Sequence, residues 1–414
     1  MQSTDIFTLG LGLRPPWQIK NQRLDLDKDP HELHLRIESK RGSTYPCPKC
    51  GKECKAHDFT ELTWRHLNFF QHHCYLTASV PRTNCPDHGV KRIKVPWARK
   101  GSKFTLLFEQ AAMTLVREMP VLSAARIMEI TDTRLWRVVH YYVERAVRRM
   151  DLSQLAAFGL DETASKRGHN YVTVFIDLER KTKPVIFSIP GKGKAAVKAF
   201  RRFMEDHGGH VGNIVEVVCD MSKAFIAATE EQFPYARQTV DWFHVVQLFT
   251  RAIDEVRREE SKEHKLPKAT RWAVLKASEK GLTDAQLEAI LQLEASDLNT
   301  AKAWRIREML RWINGAHSLG SAKWRMTHFI NYAKELVDGN PFLTPVAKAL
   351  ETLERHKQRV LGRWRSLYTN ARMEGFNSLF QAVRSRARGY RNTYTFITMI
   401  YLIAAPLGDL VKST

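Results

Sequence analysis

The chain has 414 residues, and its 65 lysines and arginines outnumber its 44 aspartates and glutamates, which gives a formal charge of +21. Its residues are 43% hydrophobic and 10% aromatic. That is enough apolar material for a sizeable core, and it excludes a disordered basic tail. A positive excess of this size on a folded chain predicts a polyanionic partner, with nucleic acid favoured over an acidic membrane surface.

Nothing in the sequence predicts a membrane anchor or an export signal. The longest apolar stretch, 396–407, has about twelve residues and contains Pro406, whereas a helix needs about 20 to cross a bilayer. The first residues lack the basic and apolar regions of a secretory signal. We therefore expect no membrane association, a cytoplasmic location and reduced cysteines.

Five of the six cysteines lie between Cys47 and Cys85, and such clustering favours a metal site over a core. Cys47 and Cys50 are two residues apart and precede a glycine, and Cys85 and His88 repeat that arrangement. Two thiolates at this spacing can share one ion, and the glycine permits the tight turn around it. These four residues are predicted to hold one structural zinc ion, because four protein ligands leave no open position.

Three other residues bear on the ligand set. Cys54 and His57 lie close enough in the sequence to compete for the ion, so the set stays open at this stage. Cys74 alternates with apolar residues along one face of a predicted strand, which is typical of a core position. Together these features predict a zinc-binding domain over residues 1–100.

Helical periodicity follows, and residues 101–150 are predicted to form a helix-turn-helix domain. Ser123 can cap a short helix, Glu129–Thr131 can form the turn, and Asp132 can cap a longer helix able to enter a major groove. Packing of a plain three-helix bundle is the alternative. The longer helix is predicted to turn Leu135, Trp136, Val139 and Tyr142 inward and Arg134 and Arg137 outward.

From residue 156 the pattern changes to short β-rich runs, which predict the order β-β-β-α-β-α-β-α. Residues 151–256 are predicted to be the first part of a core, 257–365 an all-helical insertion, and 366–414 the final core helix and tail. The predicted strands are Ala156–Glu162, Tyr171–Asp177, Pro184–Ile189, Asn213–Asp220 and Ala236–Asp241, and the predicted helices are Gly193–Asp206, Ser222–Phe233 and one from Trp242.

Asp161 and Asp220 each follow an apolar strand run, and pairing of the first and fourth strands would bring them together. Two adjacent carboxylates repel, so a divalent cation between them is expected. Glu374 is the candidate third ligand, on a helix that would place it on one face with Asn377 and Gln381. The other face would carry the docking residues Phe376, Leu379, Phe380 and Val383.

Three other features have simpler interpretations. Glu162 points to the opposite face of the strand from Asp161, so it is interpreted as structural. Asp177 ends a strand and opens a turn, a routine position for aspartate. The arginines that follow the Glu374 helix could hold a phosphate backbone or could simply form a solvated helix end; they are Arg384, Arg386, Arg388 and Arg391.

Several ordered motifs together resemble the DDE transposases of bacterial insertion sequences, of the ISL-three type. The resemblance covers nearly the whole chain, because that family also has a zinc-binding segment, a helix-turn-helix, an RNase H-like core and a helical insertion. The motifs are Gly159-Leu160-Asp161-Glu162, Cys219-Asp220-Met221-Ser222, Asp241-Trp242-Phe243-His244, Glu374-Gly375-Phe376-Asn377 and Gly389-Tyr390-Arg391-Asn392.

The resemblance implies an α/β fold with a mixed sheet and two Mg2+ or Mn2+ ions in each active site. It also implies double-stranded DNA partners, namely the terminal inverted repeats and the target, and at least a dimer on DNA in a bacterial cytoplasm, at the nucleoid. An inactive or domesticated DNA-binding regulator and an RNase H-like nuclease or resolvase are the alternatives. By position, the acidic triad is Asp161, Asp220 and Glu374, and the supporting residues are Asp241, His244 and Asn377.

Overall fold

The computed structural model describes residues 3–166, 168, 170–276, 282–366, 368 and 371–408. The chain divides into two compact units, one ending at Arg145 and the other running from Ala146 to Leu407. The two units are called the N-terminal and C-terminal units below. No helix in the described ranges combines the length and apolar content that crossing a bilayer requires.

The N-terminal unit begins with helix α1 (Ser3–Gly10) and a six-stranded sheet in the order β1-β2-β5-β4-β3, with β6 paired to β5. Every pairing is antiparallel except that of β2 with β5. Alternate residues of β2 and β5 are buried, which confirms the core position predicted for Cys74. The strands are β1 (Trp17–Asp25), β2 (Glu32–Ser39), β3 (Thr44–Pro46), β4 (Glu53–Phe69), β5 (His72–Cys85) and β6 (Gly89–Arg92).

Three helices follow the sheet: α2 (Leu106–Glu118), α3 (Val121–Ile127) and α4 (Asp132–Val147). The turn between α3 and α4 lies where the sequence predicts it, and Glu129 adopts the left-handed conformation there, with φ 53°. The helix-turn-helix segment is therefore two helices joined by a four-residue connection.

Two details of this segment correct the sequence prediction. Ser123 does not cap α3, because the helix begins directly after Pro120, whose fixed φ suits a helix start. Trp136 is only half-buried and stacks on His140 at 5.4 Å, while Val138 takes a buried position on the inner face. The inward face of α4 is thus rotated slightly from the predicted one.

The C-terminal unit contains a mixed five-stranded sheet in the order β11-β10-β7-β8-β9. Strands β7, β8 and β9 form successive antiparallel hairpins, whereas β10 lies parallel to both β7 and β11. The predicted pairing of the first and fourth strands of this region is confirmed. The strands are β7 (Ala157–Ala164), β8 (Tyr171–Asp177), β9 (Val185–Pro190), β10 (Glu216–Cys219) and β11 (Arg237–Val240).

Helices α5 (Lys194–Asp206) and α6 (Lys223–Gln232) pack on one side of this sheet. Phe200 of α5 lies 4.8 Å from the ring of Phe158 and 4.3 Å from that of Phe175. Phe158 and Leu160 of β7 are fully buried in this cluster. Because side chains alternate along a strand, the intervening residues of β7, Asp161 among them, face the other side.

In the described residues, every element after β11 is helical. Helices α7 to α12 share a hydrophobic core, in which the buried Glu260 accepts hydrogen bonds from the backbone N–H groups of Asn299 (2.6 Å) and Thr300 (2.8 Å). The helices are α7 (Trp242–Glu260), α8 (Thr270–Leu275), α9 (Asp284–Glu294), α10 (Asn299–Asn314), α11 (Leu319–Val337), α12 (Thr344–Leu361), α13 (Ala371–Arg386) and α14 (Thr393–Ala404).

Candidate metal centre and active site

Three cysteines and one histidine of the N-terminal unit converge on one point. The ligand atoms of Cys47, Cys50, Cys85 and His88 all lie within 4.8 Å of one another. The Sγ atoms of Cys50 and Cys85 are 3.7 Å apart, and Nδ1 of His88 lies 3.9 Å from Sγ of Cys47 and 3.7 Å from Sγ of Cys85. Tetrahedral zinc with bonds of about 2.3 Å to sulfur requires ligand separations of about 3.6–3.8 Å, so this set fits zinc closely.

Local backbone geometry explains the convergence. Gly51 and Gly89, which follow the two ligand pairs, have φ of 76° and 65°, a conformation that other residues adopt only with strain. The backbone N–H groups of Cys50 and Lys49 point at Sγ of Cys47 and lower the pKa of that thiol to about 6. A thiol held in this way is readily deprotonated for metal binding.

The competing ligands do not join this group. The thiol of Cys54 donates to the backbone oxygen of Lys52 at 3.3 Å, and His57 lies beside Asp58. Cys74 is buried in the sheet core, and burial raises the pKa of its thiol to about 12. Within the described ranges, these residues are outside any such cluster of metal-ligating atoms.

In the C-terminal unit, strand register brings three carboxylates to one level. Extending the strand register puts Asp220, just beyond β10, opposite Asp161, which lies within β7, and puts Asp241 level with them just beyond β11. Side chains at the same level face the same side of a sheet. Asp241 was predicted only as a supporting residue, yet it is aligned with the two predicted ligands. The register is fixed by two opposed pairs, Val218 with Gly159 and Cys219 with Val240.

Helix α13 docks along β7 and carries Glu374 to this group. Nδ2 of Asn377 donates to Oδ2 of Asp161 at 2.8 Å. Nε2 of Gln381 donates to Oγ1 of Thr163 at 2.8 Å. The polar face predicted for α13 is therefore its contact face with β7. On the other face, Leu379 is 40% exposed, so its predicted docking role is wrong.

Four buried polar atoms at this place have no hydrogen-bond partner among the described residues. They belong to different parts of the site: Oδ2 of Asp241, Nε2 of His244, Oε1 of Glu374 and Oδ1 of Asn377. Nε2 of His244 lies 3.9 Å from Oδ1 of Asp161, beyond hydrogen-bond distance. Buried oxygen atoms are rarely left unpaired, and a carboxylate-rich set of this kind fits a hard divalent cation.

The raised pKa values of the carboxylates also favour a bound cation at this site. Burial raises the pKa of Asp161, His244 opposes the rise, and the charges of Asp220 and Asp241 reinforce it. Burial raises the pKa of Glu374 to about 7, with further contributions from Asp241 and then Asp161. Burial also raises the pKa of Asp241. These carboxylates lack sufficient positive charge around them, which a bound cation would supply.

The predicted triad is not a single compact ligand set. The carboxylate oxygens of Asp161, Asp220 and Glu374, all in described residues, do not lie within 4.8 Å of one another. Among the acids, Asp241 contributes most to the raised pKa of Glu374 and Asp161 comes second. The acidic group is therefore spread over neighbouring strands and helix α13 rather than gathered around one point.

Glu162 and Asp177, which the sequence analysis leaves out of the site, lie in surroundings that differ from those of the site acids. Glu162 follows Asp161 on the strand and so points to the other side of the sheet. Burial and the charge of Asp220 raise its pKa, and Lys192 opposes this. Oδ1 of Asp177 accepts the backbone N–H of Glu179 at 2.9 Å, as expected of an aspartate at a turn.

A cavity of about 320 Å3 opens beside the acids and is lined in part by Asp241, Phe243, Arg363 and Glu374. Sequence reasoning missed Arg363. Burial lowers the pKa of its guanidinium, and the negative charge of Asp241 opposes that change. No local pattern in the sequence identifies Arg363, because its position depends on a tertiary contact of the preceding Gly362. A Cβ atom there would lie 2.7 Å from Oγ1 of Thr239, so only glycine allows this close approach.

The arginines predicted to bind DNA differ in their surroundings. Arg134 of α4 is exposed and lies 4.6 Å from the centre of the Phe104 ring, and Arg137 is also exposed. Arg384 donates to the backbone oxygen of Ala164 at 2.7 Å, so at least part of its guanidinium holds α13 to β7. The others are exposed at and beyond the end of α13: Arg386, Arg388 and Arg391.

Comparison with protein families gives three matches in chain order. Residues 43–88 match a zinc-finger of transposase IS204/IS1001/IS1096/IS1165. Residues 93–143 match a helix-turn-helix domain of transposase family ISL3. Residues 158–400, more than half of the chain, match the transposase domain model of the same ISL3 series.

Individual relatives agree with these matches. The chain is 28% identical over 267 residues to the transposase for insertion sequence element IS1557 from two strains of Mycobacterium tuberculosis. That alignment covers 62% of this chain and 58% of the relative. The chain is also 25% identical over 366 residues to the transposase for insertion sequence element IS1001 of Bordetella parapertussis, covering 86% of this chain and 87% of the relative.

Proposed function

The chain belongs to the ISL3 family of transposases, and on that premise we propose that it acts on DNA as a DDE transposase. It binds the terminal inverted repeats of an insertion sequence, cuts the strand at the element end, and joins the freed 3′-hydroxyl to target DNA. The observation that best supports this proposal is the alignment of Asp161, within β7, with Asp220, just beyond the parallel strand β10, beside the α13 helix that carries Glu374.

In this proposal the mixed sheet is an RNase H-like core, and helices α8 to α12 are an all-helical insertion between β11 and α13. Because of this long insertion, Asp220 and Glu374 are 154 positions apart in the sequence. Helix α13 then returns to β7 through Asn377 and Gln381. The acids therefore meet despite their distance along the chain.

Asp161, Asp220 and Glu374 hold the catalytic cations, two Mg2+ or Mn2+. When bound, the cations supply Lewis-acid activation of the attacking hydroxyl and stabilisation of the leaving oxygen. Two cations would be shared among these acids, so the acids need not form one compact ligand set. The site is rich in carboxylates, and carboxylate oxygens are ligands that suit Mg2+ and Mn2+.

The supporting residues orient the acids. Asn377 fixes one rotamer of the Asp161 carboxylate through its 2.8 Å hydrogen bond to Oδ2, while Oδ1 of Asp161 accepts the backbone N–H of Glu162 at 2.8 Å. Asp241 caps α7 by accepting the N–H of Phe243 at 3.3 Å, which sets His244 one turn along, 3.9 Å from Asp161. The His244 ring then lies next to the acids, with its Nε2 unpartnered among the described residues and placed to contact a phosphate oxygen.

Recognition of the element ends is assigned to the N-terminal unit. One structural zinc ion held by Cys47, Cys50, Cys85 and His88 stabilises the fold there. Arg134 and Arg137 of α4 contact DNA in the major groove. In the C-terminal unit the partners of the phosphate backbone are Arg386, Arg388 and Arg391, with Arg384 contributing mainly by holding α13. Since two ends are paired before transfer, we expect at least a dimer on DNA.

The test is cleavage of a duplex that carries one end of the element encoding this chain, in the presence of Mg2+. Wild type is compared with Asp161→Ala and with Glu162→Gln as the matched control from the same strand. We expect cleavage to be abolished by the first change and largely retained after the second, with DNA binding retained in both. A regulator would bind without cutting, and a nuclease would cut without joining the end to target DNA.

A further inference from the structure

The N-terminal unit contains a basic groove of about 710 Å3 outside the sites described above. It lies between the sheet, the loop 93–103 and the second half of α4. Eight lysines and arginines line it and no aspartate or glutamate does. Six of them, all exposed, are Lys49, Lys91, Arg92, Lys94, Lys100 and Lys103.

None of these six cations has a carboxylate partner in the described part of the chain, and no acid lines the groove. By contrast, Lys20 pairs with Glu38 at 2.8 Å, and Arg82 pairs with Asp58. The groove therefore presents positive charge alone on a concave surface. A concave surface with one sign of charge concentrates counter-ions, and a polyanion releases them when it binds.

The loop 93–103, which carries three of these lysines, is held rigidly at its C-terminal end. Glu109 of α2 is fully buried and accepts hydrogen bonds from Nε of Arg99 (2.9 Å), Oγ of Ser102 (2.7 Å) and the hydroxyl of Tyr142 (2.6 Å). The backbone oxygen of Lys103 also accepts the N–H of Arg65 in β4 at 2.9 Å. Side chains on a fixed loop lose less entropy on binding than those on a mobile one.

The groove continues towards the helix that carries the predicted DNA contacts. Lys103 lines both the groove and a neighbouring cavity whose wall includes Arg134. At the other end the groove reaches Tyr141 and Arg145 in the second half of α4. A backbone running through the groove would therefore follow α4 and remain close to Arg134.

We infer that this groove binds the sugar-phosphate backbone of double-stranded DNA, independently of sequence, through Lys91, Lys94, Lys100 and Lys103. The inference rests on the proposed function, which makes DNA the partner. Lysine ammonium groups bind phosphates as point charges. Most of the lining cations are lysines, which suit phosphate oxygens, so the groove is assigned to positioning DNA and not to reading its bases.

The test uses the full chain and a fluorescently labelled 30-base-pair duplex of arbitrary sequence, titrated between 50 and 200 mM KCl. The groove variant combines Lys91→Ala, Lys94→Ala and Lys100→Ala. The matched control combines Lys20→Ala, Lys28→Ala and Lys40→Ala, which removes the same charge from exposed positions of the same unit outside the groove. Zinc content and thermal unfolding verify that both variants are folded.

Each phosphate contact contributes about 0.9 to the slope of log K against log salt, so the groove variant should lose about 2.7. Over the fourfold salt range, the fold-loss of affinity of the groove variant should therefore be about 40 times smaller than that of wild type. The control should lose less than one unit of slope. Equal slopes in the groove variant and the control would overturn the inference, as would tighter binding of wild type to phosphatidylserine vesicles than to the duplex. Absence of duplex binding by wild type at 50 mM would instead refute the proposed function.

Discussion

Replacing Glu374 by glutamine should stabilise the cation-free protein at pH 8. Burial, Asp241 and Asp161 raise the pKa of Glu374 from 4.5 to about 7. A raised pKa means that the folded state prefers the protonated acid, so the acid's contribution to stability is complete below about pH 4.5 and is lost as pH rises to about 7. Glutamine has the shape of the protonated acid but cannot ionise, so the variant does not lose stability as pH rises.

The size of the effect follows from the shift. Each pKa unit corresponds to about 1.4 kcal/mol, and partial exposure of the Glu374 side chain reduces the full value by screening, so we expect about 1–2 kcal/mol. Urea denaturation at pH 5 and pH 8 in magnesium-free buffer without chelator, which leaves zinc in place, measures it. Glu335→Gln, at an exposed helical position, is the matched control and should show no such dependence on pH.

The same variant should bind Mn2+ much more weakly, as measured by electron paramagnetic resonance of the free ion. A substitution that stabilises a fold and removes ligand binding is typical of a residue kept for function. If Glu374→Gln destabilised the protein equally at both pH values, or bound Mn2+ as wild type does, the reasoning about this acid would be wrong.

Three further outcomes are expected. Cys85→Ser should unfold the N-terminal unit while the C-terminal unit stays folded, because zinc binding contributes folding free energy directly; calorimetry and zinc analysis measure this, and a zinc-free but folded wild type would contradict it. Glu109→Ala should cost about 3–5 kcal/mol in urea denaturation, since it leaves Arg99 without its buried partner; a loss below about 1 kcal/mol would show that the network relaxes. Asn377→Ala should slow cleavage of end DNA at least tenfold with end binding unchanged, and an equal loss of both would argue against a positioning role.

The strands of the C-terminal unit could be predicted because their burial is simple. β8 and β10 are almost continuously buried, so each is a short apolar run bounded by polar residues. The predicted bounds differ from the observed ones by up to three residues. Bringing Asp161 and Asp220 together required only this pattern and the assumption that the first and fourth strands pair. The prediction that Asp161 ends its strand was wrong, because β7 continues to Ala164.

The sheet of the N-terminal unit was not predicted beyond one strand. β4 has 17 residues, and most of its alternate positions are only half-buried, so it lacks a clear apolar period. β2 pairs in parallel with β5 across the intervening β3 and β4, a long-range contact that no local pattern reveals. Only the repeated cysteine spacing, which directly reflects metal geometry, was readable in this region.

The candidate site was predictable where chemistry depends on residue type and not where it depends on tertiary packing. The four zinc ligands form a unique spacing pattern, and the structure removes Cys54 and His57 as alternatives. The alignment of Asp241 with Asp161 depends on strand register, and the position of Arg363 depends on a contact between Gly362 and β11. Neither is expressed in local sequence.

The central claim is that the aligned acids catalyse transfer of an element end to new DNA. The most direct measurement is joining of a labelled end duplex with a free 3′-hydroxyl to a supercoiled plasmid in Mg2+, followed by sequencing of the junctions. We predict covalent junctions with wild type and none with Asp161→Ala, Asp220→Ala or Glu374→Ala, each of which should still bind the duplex. Junctions formed at the wild-type rate by any of the three variants would contradict the account.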